Sequence, residues 1–89
     1  MDINRLQRQL VVHSIIYYRM NSSIWTDAQY DAKSKELIQL MKDRPKEFKD
    51  SCMHELFKDY DGSTGYHLCT VDNVNKYYNT CISLLDYQQ

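Results

Sequence analysis

Residues 15–33 read IIYYRMNSSIWTDAQYDAK, and how this stretch folds decides the architecture. An apolar run closes on two adjacent tyrosines, Tyr17 and Tyr18. A polar break from Met20 to Ser23 follows, and then a helix start with unusually complete punctuation. Thr26 is the expected N-cap, and Gln29, three residues on, can reach back to complete a capping box. Trp25 before the cap and Tyr30 at the fourth helical position form a hydrophobic staple. Asp27 in the first turn suits the positive end of the helix dipole.

Working outward, residues 2–20 carry Ile3, Leu6, Leu10, His13, Tyr17 and Met20 at three-four spacing behind Asp2 as N-cap, which predicts an amphipathic helix. Val11, Val12, Ile15 and Ile16 widen its apolar face; alone they would suit a strand, but the sustained helical period decides against one. His13, in the middle of that face, is expected as a hydrogen-bonded core histidine. After Thr26, inward-facing Tyr30, Leu37, Ile38 and Met41 carry a second helix that ends shortly before Pro45. Residues 1–45 are thus expected to form a helical hairpin.

The second half predicts one or two further helices. Phe48, Cys52 and Leu56 are four apart behind Pro45, and Val71, Val74, Tyr78, Cys81 and Leu85 mark a closing helix capped by Thr70 or Asp72. Between them DYDGSTGYH holds both glycines and reads as a turn. A small β-hairpin around residues 55–71, with ELFKDY and YHLCTV as arms, is the α+β variant of this mainly α fold. The expectation is a single domain over 1–89, with residues 46–89 packed on the hairpin.

The composition is 43% hydrophobic and 26% charged, that of a globular chain rather than a disordered one. A net charge of −1 with interleaved signs gives no electrostatic reason to bind nucleic acid. The first residues, MDINRLQRQLVV, lack the pattern of a secretion signal, and no run is apolar enough to span a membrane. The three cysteines are then expected as reduced thiols in a cytoplasm.

A hairpin closing after Met20 would gather Tyr17, Tyr18, Asp27, Tyr30 and Asp31 at one end, since Asp27, Tyr30 and Asp31 are neighbours on a helix surface. Aromatic faces beside two carboxylates suit a flat cationic ring bearing sugar hydroxyls. The same residues also serve packing and the helix dipole, so chemistry alone leaves both roles open.

Tyr17-Tyr18, then Asp27-Ala28-Gln29-Tyr30-Asp31, then Glu36, Leu37, Leu40 and Pro45, together resemble the small N-terminal domain of bacterial NAD-dependent DNA ligases over roughly residues 6–47. In that family a helical hairpin holds the nicotinamide mononucleotide (NMN) half of NAD. The resemblance implies that Tyr17 and Tyr18 contact the nicotinamide ring, Asp27 and Asp31 the ribose and phosphate surroundings, and that Tyr30 completes the wall. Asn21 departs from the family's usual aspartate and Ser23 from its frequent proline. Adenylation in the family needs a lysine-any-aspartate-glycine motif. Lys58-Asp59-Tyr60-Asp61-Gly62 is one residue too long for it, so a non-catalytic role is expected.

A looser resemblance is to small phage-encoded ligase-like proteins, in which such a hairpin precedes a segment similar to DYDGSTGYHL. It implies a binding surface for a host or phage protein, including inhibition of a host defence enzyme in the manner of anti-CRISPR proteins. Eight tyrosines fit an interface. The nucleotide-binding and protein-binding readings stand side by side. A zinc site is a further candidate: Cys52, His54, His67 and Cys69 read Cys-x-His…His-x-Cys, which four-coordinate zinc could use only if both pairs lie on paired strands.

Overall fold

A computed structural model describes residues 2–62 and 65–88, with Gln88 as backbone only. Helix α1 spans Ile3–Arg19, α2 Asp27–Asp43, α3 Pro45–Lys49, α4 His54–Phe57 and α5 Val71–Gln88, with a 3-10 turn at Tyr66–Leu68. Helix α1 lies at the centre, against α2, α5 and the 3-10 turn. Its β-branched run explains that position. Ile3, Leu6, Leu10, Val11, Val12, Ile15 and Ile16 are all buried, a stripe too wide for one partner helix to cover. Asp2 caps α1 by accepting from the Asn4 amide at 3.3 Å.

The reversal after α1 uses Asn21 in the left-handed region (φ 52°), a conformation that asparagine tolerates better than most residues. The Met20 and Ser22 amides donate to the Ile15 and Ile16 carbonyls, closing the helix end. Helix α2 then starts as the sequence predicts. Thr26 Oγ1 accepts from the Gln29 amide at 3.1 Å, Gln29 Oε1 accepts from the Thr26 amide at 2.8 Å, and the Trp25 and Tyr30 rings meet edge-on at 6.3 Å. The helical hairpin is formed.

After Pro45, which opens α3 at its first turn, the expected single helix breaks in two. Phe48 and Phe57 are buried, while Cys52 between them is exposed. The β-hairpin variant is not formed: no strand occurs among the described residues, and its arms become α4 and the 3-10 turn. Phe57 and Tyr60 explain the outcome. Both enter the core, with rings 5.2 Å apart, and a spacing of three is a turn's period rather than a strand's. Residues 63 and 64, in the middle of the expected glycine turn, lie outside the described residues.

Helix α5 carries a second correction. Thr70 caps it, accepting from the Asn73 amide at 3.1 Å. The buried stripe, however, is Tyr77 and Cys81 flanked by Val74, Leu84 and Leu85, while Val71 and Tyr78 are exposed. Two three-four ladders run through the adjacent tyrosines, and contact with α1 selects the one containing Tyr77. Cys81 Sγ reaches the Val12 carbonyl at 3.7 Å in the same seam. Among the described residues no helix is long and apolar enough to cross a membrane.

Candidate functional site

The end of α1, the loop of residues 20–26 and the start of α2 enclose a cleft of about 320 Å³. Tyr17, Tyr18, Asp27, Tyr30 and Asp31 all line it, so the fold brings together the five residues singled out by spacing. The reason is local. Tyr17 and Tyr18 lie in the last turn of a helix whose partner starts after a seven-residue loop, and an antiparallel return sets the two helix ends side by side.

The five differ in what they can do. Tyr17 and Tyr18 stand at the rim, 54% and 37% exposed, with rings edge-on at 4.9 Å. Tyr18 also meets Tyr66 edge-on at 5.4 Å, and the Arg19 guanidinium lies over Tyr66 while donating to the Cys69 carbonyl. Tyr30 instead forms the floor. Its hydroxyl shares a 2.7 Å hydrogen bond with Ser14 and accepts a longer one, 3.5 Å, from Tyr60. Tyr60 in turn shares a 2.6 Å bond with Ser34. Burial above all holds the Tyr30 phenol above its ordinary pKa, so it stays neutral. Asp27 and Asp31 are exposed on the acidic side, with Asp31 paired to Lys35 at 3.0 Å.

Spacing left out several further members of the site. His13 lines the cleft, stacked flat on Trp25 with centroids 3.7 Å apart and planes 6° from parallel. His13 Nδ1 is buried with no hydrogen-bond partner among the described residues, and burial pushes the ring's pKa down to about 4. The signal was present, since His13 precedes Tyr17 by four residues and must share its face. Ser23, Ile24 and Trp25 come from the loop, and Gly62 and Gly65 close the far wall. Gly62 has φ +84°, which glycine adopts without strain. A Cβ on Gly65 would run into the Tyr30 and Ser14 hydroxyls, so this wall has no room for a side chain.

The zinc quartet is not assembled. His54 opens α4 with its ring tilted against Phe48, His67 sits in the 3-10 turn facing Tyr60, and Cys69 is buried while Cys52 is exposed. Without strands the pairs do not converge. Among the described residues no group of three or more histidine, cysteine or acidic side chains could hold a metal ion. Lys58 lies in solvent, paired with Glu55 at 2.9 Å, and that contact raises its pKa, opposite to the change that would free an amine nucleophile.

No family model, curated protein or solved structure matches the chain.

Proposed function

We propose that the protein is a non-catalytic binding module that seats a nicotinamide nucleotide, NMN or the matching half of NAD, in the cleft between α1 and α2. One observation carries this reading. The five residues that a resemblance to the NMN-binding ligase domain assigns to the ligand all line a single cavity, and its volume of about 320 Å³ matches a small ligand. Tyr17 and Tyr18 offer ring faces for stacking, Asp27 and Asp31 accept from ribose hydroxyls, and the stacked His13–Trp25 pair forms the flat inner wall. Trp25 reports on the site directly. Titration with NMN and with NAD should change its fluorescence saturably, and Tyr17→Ala or Asp31→Ala should abolish the change. A flat response up to millimolar ligand refutes the reading.

A second reading rests on the contiguous exposed tyrosines Tyr17, Tyr18 and Tyr66. Here the module is phage-encoded and acts in the bacterial cytoplasm as an anti-CRISPR-like inhibitor, covering a host protein with this aromatic surface. Tyr66 does not line the cleft, so Tyr66→Ala separates the two. It should cost affinity for a captured stoichiometric partner while leaving nucleotide binding intact.

A further inference from the structure

The charges around the cleft are one-sided. Among the described residues that line it, Asp27 and Asp31 are the only acidic side chains, and no lysine or arginine is present. The remaining titratable wall, His13, is held neutral there by burial. Two neighbouring cations are already engaged: Lys35 with the Asp31 carboxylate at the cleft's edge, and Arg19 with the Tyr66 ring and the Cys69 carbonyl. The start of α2, which would ordinarily attract an anion, is also taken. Its Gln29 amide donates to Thr26 Oγ1 and its first turn carries Asp27. A phosphate entering the cleft would meet two carboxylates, and would have to compete with Asp31 for Lys35.

A planar cation meets the opposite situation. Tyr17 and Tyr18 present electron-rich rings at the rim, Trp25 backs the inner wall, and both carboxylates favour positive charge. Building on the nucleotide reading above, we infer that the cleft selects by charge and oxidation state. It takes the oxidised pyridinium nucleoside, with hydroxyls on Asp27 and Asp31, ahead of both the neutral dihydropyridine form and the 5′-phosphorylated form, whose phosphate points to solvent. The reduced ring loses its positive charge and with it both the ring–cation and the carboxylate terms.

The test uses the full chain and calorimetric titration with three probes: nicotinamide riboside, its dihydro form and NMN. The expected order is the oxidised nucleoside first, the mononucleotide several-fold weaker, and the dihydro form about 10- to 100-fold weaker. Asp27→Asn with Asp31→Asn should lower the oxidised-to-reduced ratio to the part that the tyrosine rings supply, and raised salt should shrink it. Equal affinity for the oxidised and reduced nucleosides, or tightest binding by the mononucleotide, overturns the selectivity while leaving nucleotide binding standing. No binding by any of the three overturns both.

Discussion

Replacing Gly65 with alanine probes how the floor of the cleft is held. At Gly65 the backbone is at φ −107°, ψ 7°, which alanine can adopt, so conformational strain contributes little. The cost is steric. The new methyl collides with the Tyr30 and Ser14 hydroxyls, which share a 2.7 Å bond at a part-buried site. Separating that pair forfeits about 1–3 kcal/mol where its groups stay unsatisfied. Displacing the packed ring adds about 1–3 kcal/mol of overpacking. The two terms overlap, because the ring moves as its bond is lost, so we expect Gly65→Ala to destabilise by about 2–4 kcal/mol rather than their full sum, a large part of the total for a domain of this size. In urea, with a slope of about 1 kcal/mol per molar, the unfolding midpoint should fall by roughly 2–4 M. The same change in a Ser14→Ala/Tyr30→Phe background should cost less than about 1 kcal/mol. There the tightest remaining neighbour is the Tyr30 ring carbon Cζ, 3.2 Å away, which can give by a few tenths of an ångström. Circular dichroism on the four proteins completes the cycle. An equal penalty in both backgrounds would refute the argument, placing the cost at Gly65 itself rather than in the hydroxyl pair.

Three further outcomes follow from the same structure. Burial disfavours the His13 imidazolium in the fold, whereas the unfolded chain accepts that proton near pH 6.5, so the contribution is whole above about 6.5 and is lost as pH falls towards about 4. The ring's partial contact with solvent limits this loss to about 1–2 kcal/mol, and urea melts at pH 7 and pH 4.5 should show a smaller difference for His13→Phe than for the parent. Thr26→Ala removes the side-chain half of the capping box and should cost about 1 kcal/mol; a change below about 0.3 kcal/mol would mean that the loop geometry alone starts α2. Burial raises the Cys69 and Cys81 thiols above their ordinary pKa, while Cys52 is exposed. An aromatic disulfide reagent should therefore modify Cys52 quickly and the other two only at the rate of unfolding, which mass mapping will resolve.

The hairpin was legible because its signals are local. A capping box and a staple involve residues three to five apart, and their hydrogen bonds form whatever the rest of the chain does. The rim residues followed from it, since one reversal between two helices leaves little choice about which ends meet. His13 was placed on the correct face but misjudged in its chemistry. Whether a buried ring nitrogen finds a donor depends on what packs over it, and here that is the face of Trp25, which supplies none.

Beyond Pro45 the local signals weaken and packing takes over. ELFKDY and YHLCTV suit strand arms in composition, but Phe57, Tyr60 and Leu68 all enter the one core, and that burial comes with turns instead. Likewise Tyr77 and Tyr78 are indistinguishable by period, and only docking against α1 buries one and exposes the other. Sequence by itself determined the two helices of the hairpin, their reversal and the gathering of rings and carboxylates at one end, because caps and periodicity act within a few residues. Only the tertiary structure decided the neutral His13 with its unsatisfied Nδ1, the hydroxyl floor under Tyr30 and the glycine wall that closes on it. Those depend on burial and on contacts between residues 12 to 51 apart, where no short-range rule operates.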